Sequence, residues 1–204
     1  IEGLIREQGG ECAFPVNIGV NAVAAHYTPS KDNDLRFRTG DVVKIDVGAH
    51  VDGYPADTSA TVEVGTRNHT ALIESANDAL KMCVEMIAPG TSISAMGAAV
   101  ARTIRSAGFK PIQNLTGHSM ERYNLHAGLS IPNIETKDRA VLKEGMVLAI
   151  EPFSTTGVGK VDGRGRGSIY RIVRERRAPA DVTAMCSKIR ARFGPFPFAK
   201  RWCK

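Results

Sequence analysis

From Thr58 to Val64 apolar Ala60, Val62 and Val64 alternate with Thr61 and Glu63, the period of two that marks a half-buried strand. Asp41 to Val47 reads as a partner strand, because Asp52-Gly53 between the two segments is a hairpin signal. From His69 to Ile87 the positions Leu72, Ala76, Leu80, Val84 and Ile87 recur at helical spacing, and Pro89-Gly90 stops the run. A second helix is predicted from the N-cap residue Ser92 through Ile93, Met96, Val100 and Ile104 to Gly108. Met146 to Phe153 reads as a buried strand. Ala13 to Asn21 reads as a loop, as does the segment holding Gly117-His118, which runs on irregularly to Asp138. The opening residues Ile1 to Gln8 resemble the last turns of a helix whose start is absent.

Beyond Gly157 the texture changes. Gly157, Gly159, Gly163, Gly165 and Gly167 form a flexible connection, and Ile169 to Val173 reads as a short strand. Val182, Met185, Ile189 and Phe193 then mark an amphipathic helix flanked by Lys188, Arg190 and Arg192. The charge follows this boundary. Residues 160–204 hold 13 Lys/Arg against Asp162, Glu175 and Asp181, a net of +10, whereas residues 1–159 hold 14 Lys/Arg and 18 Asp/Glu, a net of −4. The body is acidic and the tail basic.

With 204 residues, 43% hydrophobic and 24% charged, the chain can bury a sizeable core, which excludes a disordered protein. Its apolar runs fall far below the roughly 20 residues of a membrane span, so a soluble intracellular protein is expected. Cys12, Cys83, Cys186 and Cys203 are far apart with no C-x-x-C pair, and read as four reduced thiols.

The strongest chemical signal is Asp46 and Asp57, eleven positions apart and flanking the predicted turn almost symmetrically. A hairpin sets them nearly opposite one another, where two carboxylates repel unless a cation lies between them. Asp41 and Asp52 are explained as strand-edge and turn residues. Glu151 is the one charge in the apolar segment from Val147 to Phe153, and a buried carboxylate needs a metal or cation beside it. His118 follows Thr116-Gly117, whereas His50 and His69 read as surface residues. Two Asp, one His and one Glu make an oxygen-rich, one-nitrogen donor set. It suits two close ions of the manganese, iron, cobalt or zinc kind that activate a shared water for hydrolysis.

Phe14-Pro15, Ala25-His-Tyr-Thr-Pro29, Lys44-Ile-Asp-Val-Gly48, Ala56-Asp57-Thr58, Asn114-Leu-Thr-Gly-His118, Leu125-His-Ala-Gly128 and Ala149-Ile-Glu-Pro-Phe153 stand in an order and spacing that resemble the type 2 methionine aminopeptidases, nearest the archaeal form. The resemblance implies an α+β pita-bread fold, an antiparallel sheet covered by helices with a helical insert. Residues 1–157 would be the catalytic domain and residues 158–204 the start of the basic insert. It implies Asp46, Asp57, His118 and Glu151 as ligands of two divalent ions, with Asp57 bridging and Glu151 also shuttling a proton. His26 would contact the scissile amide, His126 would hold the substrate, and Phe14, Leu125 and Phe153 would line the methionine pocket.

The implied function is removal of the N-terminal methionine from nascent polypeptides, by a cytoplasmic and monomeric enzyme. The basic insert would be drawn to ribosomal RNA. The family's fifth ligand, a glutamate in the final strands, has no counterpart here, because Glu175 sits among arginines in the insert. Both termini are therefore expected to be truncated, and the 204 residues alone to bind metal poorly and to lack activity. Two other readings remain, an X-Pro aminopeptidase or prolidase of the same fold, and a non-catalytic pita-bread protein that binds ribosomes or nucleic acid.

Overall fold

The structure is a computed structural model that describes residues 1–163, 167–174 and 176–203. Gly165 of the glycine-rich connection and Glu175 lie outside the described residues. The chain divides into two units, one of residues 1–61, 121–125 and the described part of 165–204, the other of residues 62–120 and 126–164.

The first unit begins with helix α1 (Glu2–Glu7), in agreement with the predicted helix end. The segment read as a loop is instead strand β1 (Glu11–Val20), six of whose residues in a row are buried. Continuous burial removes the alternation by which a strand is recognised, and Pro15 argues against one. Pro15 is tolerated because β1 is an edge strand whose register against its neighbour breaks between Cys12 and Phe14 and again between Phe14 and Asn17. The predicted hairpin is present and longer at the turn: β2 (Val42–Val51) and β3 (Tyr54–Glu63) form a three-stranded sheet in the order β1-β2-β3. Asp52 (φ 50°) and Gly53 (φ 84°) both take the left-handed conformation, as a tight hairpin turn with matching twist requires. Tyr123 N–H donates to the Gly53 carbonyl at 2.7 Å and Arg122 Nε to the Asp52 carbonyl at 2.8 Å, fixing the turn from outside.

The second unit is built on helices α2 (Thr70–Met86) and α3 (Ile93–Ser106), close to the predicted limits. Ser92 caps α3 as expected, its side chain accepting from the Ala95 amide at 3.4 Å. The buried stripe of α2 differs from the apolar stripe in the sequence. Ser75, Ala79 and Cys83 face inward, while Leu80, Val84 and Ile87 are exposed. Small side chains let α2 approach α3 closely, so backbone proximity selects the inner face. Ala79, Cys83, Ile93, Met96, Val100, Ile104, Ile131 and Leu142 form the core of this unit. Burial pushes the Cys83 thiol up to about 11, so it packs as a small hydrophobe.

Glu63 starts α2 from outside the helix. Burial alone would raise its carboxyl, but hydrogen bonds from the Thr66 hydroxyl, from His69 and from the Asn68 amide outweigh it and hold it down at about 2, against an ordinary 4.5. A carboxylate at exposed N–H groups of a helix start is favoured by both hydrogen bonding and the helix dipole. The folded-state value is depressed, so its stabilisation is present above pH 4.5 and is lost as pH falls from there towards 2. Glu63→Gln should therefore lower the urea midpoint at pH 7, with the gap to wild type narrowing at pH 3; equal gaps at the two pH values would refute this origin.

The remaining short strands are β4 (Lys110–Pro111), β5 (Thr116–Met120), β6 (Ser130–Pro132), β7 (Val147–Ala149) and β8 (Ser154–Thr155), paired as β4-β8 and β6-β5-β7. His118 thus lies on a strand rather than in the expected loop. Its neighbours Thr116 and Gly117 hid the strand, since neither carries an apolar side chain. The predicted strand from Met146 to Phe153 shrinks to β7, and Met146 and Val147 are exposed while Ala149 is buried. Pro152 has no N–H to give a ladder, so pairing stops before it.

In the first unit β9 (Ile169–Tyr170) pairs with β10 (Phe198–Ala199), and α4 (Ala180–Phe193) lies between them in sequence. The helix is where periodicity placed it, but none of its residues is buried. It docks through its end: Phe193 stacks on Phe198 at 5.1 Å and meets Trp202 at 5.6 Å. Glu2 ties down the following turn, Lys200–Trp202, accepting from Trp202 Nε1 at 2.9 Å and pairing with Arg201. All four cysteines are free thiols, as expected. No helix among the described residues is long and apolar enough to cross a membrane.

Candidate metal centre

In the first unit, Asp46 sits in the middle of β2, directly opposite Asn17 of β1. Asn17 Nδ2 donates to Asp46 Oδ2 at 3.1 Å. Asp57 is on β3, half-buried between the exposed residues Ala56 and Thr58. His26 is exposed and holds a left-handed backbone (φ 60°), uncommon outside glycine and found where surrounding bonds impose it. Those bonds are visible on both sides of Asn17. Ile18 N–H donates to the Tyr27 carbonyl at 2.7 Å, and the Thr28 hydroxyl donates to the Val16 carbonyl at 2.8 Å. Phe14 and Leu125 are buried, and the Phe14 ring lies over Gly48, where a Cβ would fall 2.2 Å from a ring carbon.

In the second unit, His118 is buried at the centre of β5, opposite Ala149 of β7. Glu151 follows two residues later, and its Oε1 lies 3.3 Å from His118 Nε2. The ring of His126 is tilted against that of His118 with centroids 4.2 Å apart. Ser119 makes this approach possible: its carbonyl accepts from the Ala127 amide at 2.8 Å, and its Oγ accepts from the Leu129 amide at 3.1 Å. Phe153 is half-buried, its carbonyl accepting from the Ile112 amide at 2.9 Å.

Among the described residues one set of side chains could hold an ion. Asp57, His118 and Glu151 each offer one ligand atom, and these atoms lie within 4.8 Å of one another. Two carboxylates and one imidazole are the donor set that suits manganese, iron, cobalt or zinc, and a cation offsets the repulsion of gathered carboxylates. Asp46 is not part of this set of three. His50, expected at the surface, stacks on Phe196 at 4.4 Å, and His69 lies 3.2 Å from Glu63. The residue that sequence reasoning missed is Asn17. Its only signal was a polar side chain inside an apolar run, which is ambiguous until β1 is known to be a strand.

A histidine and two carboxylates, two of the three borne by strands of this α+β scaffold, define a candidate hydrolytic metal centre of the metallopeptidase class. Residues 1–175 match metallopeptidase family M24. The chain is 45% identical to the methionine aminopeptidase of Archaeoglobus fulgidus over 100% of its own length and 70% of that protein's. The crystal structure of the methionine aminopeptidase from Thermotoga maritima is similar with a TM-score of 0.74 and 30% identity, covering 81% of this chain and 70% of the other. The prolidase from Pyrococcus horikoshii matches with a TM-score of 0.62 and 29% identity, over 74% of this chain and 43% of the other. The chain belongs to metallopeptidase family M24, among its methionine aminopeptidases, and has the pita-bread fold of that family.

Proposed function

We propose that this protein hydrolyses the bond after the N-terminal methionine of newly made polypeptides, with two divalent ions as cofactors. The observation that carries the reading is the approach of Asp57, His118 and Glu151 within 4.8 Å. Asp46, Asp57, His118 and Glu151 would together hold the ions, with Asp46 joining the other three as fourth ligand and Asp57 shared between the two sites. When bound, the ions supply a hydroxide from a shared water near neutral pH and a Lewis acid for the peptide carbonyl.

The protein's own groups do the rest. Glu151 holds and returns a proton at a carboxylate oxygen. His26, fixed by the bonds at Tyr27 and Thr28, offers an imidazole to the scissile amide. His126, braced against His118, holds the substrate beside it. Phe14, Leu125 and Phe153 take the unbranched methionine side chain, for which apolar walls of fixed shape give selectivity of about 10- to 200-fold per methylene. Residues 1–157 act as the catalytic domain and residues 158–204 as the start of a basic insert. The net charge of +10 in residues 160–204 suits attraction to the phosphates of ribosomal RNA. The enzyme acts as a monomer in the cytoplasm.

A peptide panel tests the reading. The full gene product loaded with manganese should release methionine from Met-Ala peptides and leave X-Pro peptides intact. Faster cleavage of X-Pro would convert the assignment to a prolidase, and no cleavage of either would favour a binding protein.

A further inference from the structure

Asn17 is 4% exposed, and its amide donates to Asp46 Oδ2. A carboxylate only accepts, so the orientation of the amide is set by chemistry: Nδ2 must face Asp46. That leaves Asn17 Oδ1 buried without a hydrogen-bond partner among the described residues. An orphaned buried carbonyl lowers stability, and a leucine would fill nearly the same volume without that penalty. Packing therefore does not explain an amide at this position. The backbone at Asn17 is also held on both sides, by Thr28 at Val16 and by Tyr27 at Ile18, so the donor has a fixed origin.

We propose that Asn17 is a positioning residue for the metal centre, restraining the Asp46 carboxylate through Oδ2 so that it presents one orientation to the ion. The inference rests on the reading of Asp46 as a ligand. Hydrogen bonds to a ligating carboxylate fix its direction, and their loss typically weakens metal binding about 10- to 100-fold. Asn17 touches neither substrate nor ion in this role; it acts through Asp46.

The test uses Asn17→Ala, Asn17→Leu, Asp46→Ala and the double variant Asn17→Ala/Asp46→Ala in the full gene product. Manganese affinity is measured by calorimetry, the cobalt(II) absorption spectrum reports ligand geometry, and melting of the metal-free proteins reports folding. Both Asn17 variants should bind manganese about 10- to 100-fold more weakly. Their cobalt spectra should be altered, while metal-free Asn17→Leu melts no lower than wild type. In the Asp46→Ala background, Asn17→Ala should add no further loss, because the two changes break one path. Wild-type affinity and spectrum in Asn17→Leu would overturn the proposal, as would an undiminished Asn17 effect without Asp46. Asp46→Ala binding metal like wild type would overturn the ligand assignment itself, a separate failure.

Discussion

Asp57→Asn is expected to lower kcat/KM on a Met-Ala peptide by about 10³-fold or more, the scale on which loss of charge stabilisation at a hydrolytic centre is felt. The amide keeps the size of the carboxylate and removes its charge, and hard cations bind neutral amide oxygens less strongly than carboxylates. Asp57 contributes one of the three donor atoms gathered within 4.8 Å, so the loss falls on the centre itself. Its neighbours along β3 are exposed, so no core packing is disturbed. Chelation should abolish the wild-type activity, and added manganese should restore it in wild type but not in the variant. Turnover of Asp57→Asn above a tenth of wild type would sink the assignment of Asp57 as a bridging ligand.

Gly117→Ala should be among the most damaging single methyl groups in the second unit, and the one that reaches the candidate centre directly. A Cβ on Gly117 would lie 2.2 Å from the Ala149 carbonyl oxygen and 3.1 Å from the Glu151 nitrogen. Both are main-chain atoms that cannot rotate away, so β5 and β7 must part. Overpacking of this kind costs about 3 kcal/mol. The same displacement reaches the His118–Glu151 pair, since His118 follows Gly117 directly and stands opposite Ala149. A misplacement of about 1 Å can lower turnover by roughly 10²-fold, so rate should fall together with stability. Gly163→Ala, with no described residue within 4 Å of its Cβ, serves as the control and should be neutral in both measurements. A Gly117→Ala protein with a wild-type denaturation midpoint would show that the strands accommodate the methyl group.

The hairpin and its candidate ligand Asp57 were legible because two signals agreed, alternation in β3 and Asp52-Gly53 at the turn. Helices α2 and α3 were legible from apolar spacing and from the cap at Ser92. Strand β1 was not, since unbroken burial and Pro15 both hide a strand whose bulges exist only in pairing with β2. The inward face of α2 was hidden too, because a small-residue stripe wins only when a second helix comes close. His118 was identified as a candidate by its chemistry and misplaced by its local structure, because β5 is a strand through its partners β6 and β7.

The sequence by itself determined the residue types of the centre and the family, because donor chemistry and motif spacing are written along the chain. It also determined the helices and the hairpin, whose patterns are local. Only the tertiary structure decided that His118 lies 3.3 Å from Glu151, which are 33 positions apart, and that a buried asparagine holds Asp46 from 29 positions away. Those distances depend on strand register, and register is set by the summed packing of whole strands rather than by any residue within them.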